Sequence, residues 1–369
     1  MSPVRTTPRP RRELDCPLVI VLAAVALVIA AAALVAGCGS SSTDSPSSAS
    51  SGASGGASKG LRIAYQLIPN GDLIVKDQGW LEKALPDTTI TWVKFDSSAD
   101  VNEAIAAGKV DIGLVDSVSA AAGLSQPMDI AYSVPWIYDL IGAAEALAVK
   151  NDAGITDFDG LVGKRVGTPV GSAAHYGLLA ALELNGIDVT EITLVDLSPS
   201  DILTAWQAGD IDAAYVGDPT LAELKKDGTV LSTGADLAAE GRATAHLAVV
   251  TTALSKEDPK AVQTWLDQQN KAVQLYVSDP QAAADAVGRQ LDISGADALA
   301  QMKGFILLDA VQQAKTSYLG VPDTPGLLAE ELQYSAEFLK TQGAVKGVPP
   351  PKSFQAALAN QYVAKAAGM

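Results

Sequence analysis

The sequence predicts an α/β protein with two similar lobes, and three observations support this fold class. Strand and helix patterns alternate from Leu61 onward, at the spacing of parallel βαβ units. The segment 104–115 (AIAAGKVDIGLV) recurs in similar form at 205–216 (AWQAGDIDAAYV), and each copy predicts a helix end, a glycine stop and a strand. Residues 60–369 are also more than one hydrophobic core usually accommodates. Two such lobes that face each other enclose a cleft, the usual place for a ligand.

Apolar runs predict the strands of the first half of the body, and amphipathic stretches predict the helices between them. Trp80, Leu81 and Leu85 mark the apolar face of the first helix, and Gly108 stops the second. The predicted strands are 61–66, 89–95, 110–115, 130–134 and 146–150, and the predicted helices are 71–85, 100–107 and 117–124.

Capping residues define the helices of the second half. Ser172 is placed to cap a helix that Gly186 ends, and Ser198 is placed to cap the next one, with Pro199 in its first turn. The predicted strands are 164–169, 192–197, 212–216 and 245–251, with helices at 173–185, 199–208 and 219–226. The remainder is mostly helical, over 259–277, 280–291, 296–304, 325–342 and 352–366.

The N-terminal segment has the pattern of an export signal. Four arginines within the first twelve residues precede an apolar run over 17–36, and the small pair Ala36-Gly37 stands before Cys38. This ending resembles the lipobox of bacterial lipoproteins, in which the cysteine is acylated and the chain is cut just before it. We predict a lipoprotein signal peptide over 1–37 and a lipid anchor on Cys38, at the outer face of the cytoplasmic membrane. A retained transmembrane helix is the alternative, because the run is long enough to span a bilayer.

Composition narrows the function of the chain beyond this signal. Residues 38–59 are mostly Ser, Gly and Ala and predict a flexible tether. The two cysteines, Cys16 and Cys38, lie at or before the proposed cleavage point, so the body has no disulfide and no thiol nucleophile. Residues 1–37 hold four Arg, one Glu and one Asp, so their removal changes the formal charge from −16 to −18. Such an acidic body repels phosphate backbones, and we expect no nucleic-acid partner.

Several phrases of the body stand in a consistent order between Leu61 and Thr252. They are AYQ at 64–66, EAIAAGKVDIG at 103–113, GKRVGTPVGSAAHYGLLAAL at 163–182, and AWQAGDIDAAYV at 205–216 followed by LKKDGTVL at 224–231. These phrases resemble the taurine-binding proteins of bacterial sulfonate importers. The resemblance is weaker over the helical tail.

The resemblance implies a type II periplasmic-binding fold. Residues 60–150 and 250–369 would form lobe 1 and residues 151–249 lobe 2, with hinge crossovers near Lys150 and Val249. Closure of the lobes around a solute is a hinge motion. The implied function is capture of taurine or a related small sulfonate or zwitterion, by a monomer that hands it to an ABC permease with its ATPase. No cofactor is expected.

The ends of the predicted strands provide the candidate ligand-binding residues, because ligands of open α/β sheets lie beyond the carboxyl ends of the strands. The resemblance adds the start of the helix after Ser172. The amides after Ser172 and Ser117 suit a sulfonate or carboxylate. The candidates are Tyr65, Gln66, Asp116, Ser117, Trp136, Tyr138, Asp139, Ser172, His175, Tyr176 and Asp218.

Two carboxylates depart from the resemblance. Relatives tend to read Gly-Ser-Ser-Pro and Tyr-Val-Trp-small-Pro where this chain reads Val-Asp-Ser-Val at 115–118 and Tyr-Val-Gly-Asp-Pro at 215–219. Asp116 and Asp218, beside Trp136 and Tyr138, would suit an ammonium or a quaternary amine through charge pairing and cation-π attraction. The ligand is therefore expected to be taurine-like or more cationic than taurine.

A structural role is the alternative for each of these residues. Asp116 and Asp218 each stand where an aspartate caps a helix. Tyr65 and Trp136 could be core aromatics, and His175 a packed or surface imidazole. Glu145 could bind an amine, although a strut between the lobes is the commoner role for such a residue.

Two other functions compete with transport. His175 and His246 have no partner at metal-ligand spacing, so no metal is expected. An enzyme on this fold would need a nucleophile with its base, and the body has neither a cysteine nor a GxSxG motif. We therefore expect no enzyme, while a sensor or adhesin whose cleft signals to a receptor stays open.

Overall fold

The computed structural model describes residues 59–369, where the strands form two large sheets and one small hairpin. Each predicted strand overlaps an observed one. The strands are β1 (Lys59–Tyr65), β2 (Thr88–Lys94), β3 (Ile112–Asp116), β4 (Tyr132–Ile141), β5 (Glu145–Lys150), β6 (Arg165–Thr168), β7 (Thr193–Asp196), β8 (Ala213–Gly217), β9 (Gly228–Thr233), β10 (Thr244–Thr251), β11 (Phe305–Ile306), β12 (Gly320–Val321) and β13 (Thr324–Pro325).

The helices follow the predicted pattern, with two breaks. Gly79, in a left-handed conformation, divides the predicted helix 71–85, and residue Ala359 interrupts the last helix by donating its amide to the Val134 carbonyl. The helices are α1 (Gly71–Gln78), α2 (Trp80–Ala84), α3 (Ser98–Ala106), α4 (Ser117–Leu124), α5 (Ala173–Leu184), α6 (Pro199–Ala208), α7 (Thr220–Leu224), α8 (Gly234–Ala239), α9 (Thr252–Glu257), α10 (Pro259–Ser278), α11 (Pro280–Leu291), α12 (Gly295–Met302), α13 (Ala310–Gln313), α14 (Leu328–Thr341), α15 (Pro351–Ala357) and α16 (Gln361–Ala366), with 3₁₀ turns at Asp159–Leu161 and Val189–Glu191.

The predicted signal peptide, Cys38 and the tether up to residue 58 lie outside the described residues. Among the helices of residues 59–369, none combines the length and the apolar character that crossing a membrane requires.

The first sheet has six strands in the order β11-β4-β10-β3-β1-β2. β1 pairs in parallel with β2 and β3, whereas β10 lies antiparallel between β3 and β4. All five residues of β3 are buried, and so are Ile63 of β1 and Val249 of β10, which pair with it. The centre of this sheet is therefore covered on both faces, which explains why its strands are unbroken apolar runs.

The second sheet has five strands in the order β7-β6-β8-β5-β9. β6 pairs in parallel with β7 and β8, and β5 pairs antiparallel with β8 and β9. Both sheets are thus mixed rather than mostly parallel. The reason is that β5 and β10 each enter their sheet from the other one, and the right-handed βαβ rule constrains only consecutive strands of the same sheet.

The chain passes between the sheets at two crossovers, residues 142–144 and residues 234–243. The strand pairing places β5 in the second sheet and β10 in the first, so each crossover comes just before its strand, several residues ahead of the predicted positions near Lys150 and Val249. An apolar strand reads the same whichever sheet it joins, because its pairing partners are distant in sequence. That the two halves move as lobes about these crossovers stays a prediction.

The repeated sequence segment forms the same local structure in both sheets. Arg62 at the start of β1 donates through Nε and Nη2 to the carboxylate of Asp111, over 2.9 and 2.6 Å. Arg165 at the start of β6 donates in the same way to Asp212, over 3.1 and 2.8 Å. Each arginine also donates to a glycine carbonyl at the end of the helix before that aspartate: Arg62 to Gly108 after α3, and Arg165 to Gly209 after α6. The internal repeat is therefore confirmed in three dimensions.

Three glycines let the crossovers pack backbone against backbone. A Cβ on Gly142 would lie 2.8 Å from the carbonyl oxygen of Gly304, and a Cβ on Gly304 would lie 2.8 Å from the amide nitrogen of Ala144. A Cβ on Gly234 would lie 2.7 Å from the carbonyl oxygen of Gly142. Side chains are excluded here because the opposing atoms belong to backbone, which cannot rotate aside.

Gly304→Ala is accordingly expected to destabilise the protein by about 2 kcal/mol, as overpacking in a core does. Urea unfolding followed by circular dichroism measures the effect. Gly60→Ala in β1 is the matched control, since a Cβ there meets nothing within 4 Å. Equal stability of both variants would show that the crossovers can separate without cost.

Candidate ligand-binding cleft

A cavity of about 350 Å³ is lined by residues of both sheets. This volume falls within the range of roughly 300–1,000 Å³ that is common for small-molecule sites. The first sheet contributes residues at or after its strand ends, including Gln66, Asp116 and His246, and the second contributes Glu145 and Asp218. The cavity therefore lies between the two sheets, next to the crossovers.

Three serine-capped helices begin at the cavity, one from the first sheet and two from the second. Their capping serines are Ser97 for α3, Ser172 for α5 and Ser198 for α6, and each hydroxyl accepts the amide hydrogen of the residue three positions on. Residues of their first turns line the cavity. Amides of a first turn have no acceptor within their helix. These helix N-termini therefore offer hydrogen-bond donors to the cavity in a partly positive field.

The start of α5 is the most favourable of the three for an anion. Asp100 and Asp201 stand in the first turns of α3 and α6, whereas the first turn of α5 has no acidic residue. Ala173 and Ala174 line the cavity from that turn. No carboxylate of the helix itself neutralises their free amides, and the nearby Asp196 is engaged by the Val170 amide at 2.9 Å, so the N-terminus of α5 suits a sulfonate or carboxylate group.

Two predicted site residues position these helix starts. Gln66 lines the cavity and donates through Nε2 to the Ser98 hydroxyl at 3.2 Å and to the Leu114 carbonyl at 3.0 Å, which fixes the start of α3. His175 lies outside the cavity lining, and its Nδ1 accepts the Gly171 amide hydrogen at 3.2 Å. Burial lowers the pKa of His175, which favours the neutral ring that this bond requires.

The acidic residues of the cleft differ in whether their oxygens are already used. Asp116 caps α4, with both carboxylate oxygens accepting from Ser119 at 2.8 Å, so the capping alternative is observed for this residue. Asp139 is fully buried and accepts from Asn70 at 3.0 Å, and its other oxygen lies 2.8 Å from Nδ1 of His246. These two carboxylates already have hydrogen-bond donors from the protein.

Glu145 and Asp218 have no such complement of donors. Each residue is only 8% exposed and lines the cavity. Within the described residues the Glu145 carboxyl makes no hydrogen bond, and Oδ1 of Asp218 has no partner. The N-cap residue of the helix that follows is Pro219 and not Asp218, although the Ala222 amide of its first turn lies near the Asp218 carboxyl.

Burial changes the charge of both groups. It raises the pKa of Glu145 to about 8, an effect that His246 opposes and that the carboxylates of Asp116 and Asp139 reinforce. It raises the pKa of Asp218 to about 6, against the opposing charge of Lys225 and the amide of Ala222. Glu145 is therefore mostly protonated at neutral pH in the empty cleft.

Five other predicted site residues lie away from the cavity lining. Trp136 and Tyr138 are buried in the core of the first sheet, and Tyr138 packs edge-on against Trp265. Tyr65 packs against Trp92. Ser117 accepts the Ala245 amide hydrogen at 3.3 Å. Tyr176 packs edge-on against Phe338 of α14, which links the second sheet's helix layer to the C-terminal helices.

Cation-π recognition by Trp136 and Tyr138 is therefore not supported by their positions. Both rings are taken up by the core of the first sheet, where Tyr138 packs against Trp265. Asp139 is also outside the lining, although it contacts His246, which is in it.

The structure adds lining residues that the sequence analysis did not select. They include Lys94 of β2, Ser98 of α3, Ser200 of α6, and Phe305 of β11. The helix starts had a sequence signal, because Ser97 to Asp100 and Ser198 to Asp201 share the pattern Ser-x-x-Asp of a capped N-terminus. Phe305 had none. No group of three or more His, Asp, Glu or Cys suited to a metal occurs within residues 59–369.

Two α/β sheets joined by two crossovers, with a cavity between them and helix N-termini facing it, define the class of two-lobed periplasmic-binding proteins. The chain belongs to the NMT1/THI5-like family, whose profile matches residues 71–283, more than half of the sequence.

Individual relatives agree with this assignment. The taurine-binding periplasmic protein of Escherichia coli (strain K12) is 34% identical over 294 residues, which cover 78% of this chain and 88% of that relative. The structure of the alkanesulfonate-binding protein SsuA from Xanthomonas axonopodis pv. citri, bound to MOPS, superposes with a TM-score of 0.66. It is 21% identical and covers 81% of this chain and 97% of its own. The predicted resemblance to taurine-binding proteins is thereby confirmed.

The fold alone does not separate binding proteins from enzymes. The desulfurization enzyme DSZB superposes with a TM-score of 0.59 at 16% identity, over 84% of this chain and 99% of its own. The relative with 34% identity is a binding protein, so the sequence comparison favours binding over catalysis.

Proposed function

We propose that this protein is the extracytoplasmic solute-binding component of an ABC importer and captures taurine or a related small sulfonate or zwitterion by closure of its two lobes. The observation that carries the proposal is the polarity of the cavity. The N-terminus of α5, whose first turn has no acidic residue, borders the cavity, and the Glu145 carboxyl and the unpartnered Oδ1 of Asp218 belong to residues that line the same cavity. A zwitterion such as taurine presents one group of each sign.

The cellular setting belongs to the same proposal. Cys38 would carry the lipid that holds the protein at the outer face of the cytoplasmic membrane, and residues 38–59 would let the body reach a permease with its ATPase. The E. coli relative is a periplasmic protein, which supports an extracytoplasmic location.

A thermal-shift screen tests the proposal. Taurine at 100 times its Kd is expected to stabilise the folded protein by about 2.7 kcal/mol, because ligand that binds only the native state shifts unfolding by mass action. Other alkanesulfonates belong in the same screen. Absence of a shift with every sulfonate, confirmed by calorimetry, would contradict the assignment.

An amine or betaine-type quaternary ammonium ligand is the second candidate. Glu145, whose carboxyl receives no hydrogen bond from residues 59–369, and the unpartnered Oδ1 of Asp218 support it, because buried acceptors without donors favour a cationic ligand. Choline, glycine betaine and ethanolamine in the same screen separate the candidates. A shift with these compounds and none with sulfonates would support the second candidate instead.

A further inference from the structure

Glu145 and Asp218 both line the cleft and come from adjacent strands of the second sheet. Glu145 is the first residue of β5 and pairs with Gly217 of β8, the neighbour of Asp218. A Cβ on Gly217 would lie 3.7 Å from Oε1 of Glu145. The Asp218 amide also donates to the Ala144 carbonyl at 2.8 Å, which ties the two segments together. The strand pairing thus places the two residues close together along the backbone.

The groups that face Glu145 from other elements donate no hydrogen bond to its carboxyl oxygens. His246 of β10 is turned to Asp139 of β4 through Nδ1, and Asp116 at the end of β3 is turned to Ser119. Tyr215 of β8 lies close enough for Glu145 to raise its pKa, but its buried hydroxyl has no hydrogen-bond partner. Glu145 therefore retains acceptor capacity that no protein donor meets.

The free acceptor atoms indicate which chemical group of a ligand would bind to them. The Glu145 carboxyl, which receives no hydrogen bond from the described part of the chain, and Oδ1 of Asp218, which is buried without a partner there, suit a ligand group with several N–H hydrogens, since buried acceptors are costly when unsatisfied. A quaternary ammonium has no N–H and depends on aromatic rings. The aromatic side chains of the cavity lining are Phe95 and Phe305, because Trp136 and Tyr138 are in the core.

We propose that Glu145 and Asp218 form a receptor for a primary ammonium group, and that this ammonium enters the cleft in exchange for the proton held by Glu145. The inference rests on the proposed function and sharpens it, because it selects aminoalkanesulfonates over plain and N-trimethylated ones.

The sign of the proton exchange follows from burial. The pKa of Glu145 in the empty cleft is about 8, and a bound ammonium favours the carboxylate and lowers that pKa. Binding at pH 7 then releases roughly one proton per ligand, and affinity increases as pH rises from 6 to 8. His246 would reduce the net proton release if it took up a proton when Glu145 ionises. The carboxylates of Asp139, Glu145 and Asp116 raise the pKa of His246 despite its burial.

Isothermal titration calorimetry with three sulfonates tests the ammonium receptor. Taurine is expected to bind at least about tenfold more tightly than ethanesulfonate or N,N,N-trimethyltaurine, which lack the N–H donors. Titrations at pH 7 in two buffers of different ionisation enthalpy count the protons. Taurine should release roughly one, and ethanesulfonate close to none.

Glu145→Gln isolates the residue, because the amide keeps the size of the side chain and cannot ionise. This variant should release no proton at pH 7, and its loss of taurine affinity should be at least about tenfold greater at pH 8 than at pH 6. Glu240→Gln, an exposed change of the same kind outside the cavity lining, is the control and should behave as wild type.

Asp218→Asn gives a second measurement should Glu145→Gln not fold. It is expected to weaken taurine binding about tenfold, to leave ethanesulfonate binding unchanged and to leave the Tm of the free protein nearly unchanged, because Asp218 is not the N-cap residue of α7 and the amide oxygen of Asn can still accept the Ala222 amide hydrogen. A large loss of Tm without ligand would show a structural role and contradict the receptor.

The outcomes separate the inference from the function on which it rests. Equal affinity for taurine and N,N,N-trimethyltaurine, with no proton released by the wild type, would overturn the ammonium receptor and leave sulfonate binding intact. Failure of all three sulfonates would overturn the proposed function. In that case ethanolamine is the remaining probe, and its binding with proton release that Glu145→Gln abolishes would still support the receptor.

Discussion

Ala174→Asp is expected to weaken taurine binding by about 100-fold or more. The new carboxylate would stand in the first turn of α5, where Ala174 lines the cavity and no acidic residue is present in the native chain. It would accept the free amide hydrogens of that turn and repel the incoming sulfonate, and like charges in contact at a buried site cost several kcal/mol.

Calorimetry at pH 8 measures the effect, and a thermal melt confirms that the variant folds. The matched control is Ala296→Asp, the same change in the first turn of α12 at an exposed position that does not line the cavity. The control should bind taurine as wild type does. Retention of wild-type affinity by Ala174→Asp would place the anion at another helix start, and α3 and α6 would be the next to test.

Trp206→Ala should lower the free energy of unfolding by about 3–5 kcal/mol, the range for truncating a large buried aromatic side chain. Trp206 is 1% exposed and packs with Ile202, Leu221 and Leu224 in the core of the second sheet. Its Nε1 donates to Asp227 at 2.8 Å, and Lys150 donates to its carbonyl oxygen at 2.9 Å. Loss of the ring leaves a cavity and removes one donor from Asp227.

Urea unfolding followed by circular dichroism gives the free energies. Trp80→Ala provides the comparison, because Trp80 is only partly buried and Nζ of Lys271 lies 3.8 Å from its ring centroid. A cost of about 1–2 kcal/mol is expected there. Equal costs for the two variants would show that burial in the second core is not what makes Trp206 important.

The fold was largely predictable because its signals are local. Strand runs, the serine caps of α5 and α6 and the repeat at 104–115 and 205–216 all appear in short stretches of sequence, and each matches an observed element. The arrangement of strands was less predictable. β5 and β10 could not be assigned to a sheet from sequence. Their pairing partners are separated from them along the chain, and apolar side chains do not indicate which strand is the partner.

The candidate site shows the same difference between residues that local sequence patterns predict and residues that only the packing identifies. Gln66, Asp116, Ser172 and Asp218 line the cavity as strand ends and a helix start should. Trp136 and Tyr138 do not, since only the packing of β4 shows which rings enter the core. Asp116 and Asp218 could not be distinguished from sequence, because either could cap a helix. Ser119 engages the first, and Oδ1 of the second has no partner.

The sequence by itself determined the α/β class, the internal repeat, the capped helix starts that favour an anion and the family to which the chain belongs, because these depend on residues close together in the chain. Only the tertiary structure decided which sheet each crossing strand joins and which buried carboxyl groups keep free acceptors. Those properties depend on contacts between residues such as Glu145 and His246, which are about a hundred positions apart and meet only after the sheets have formed.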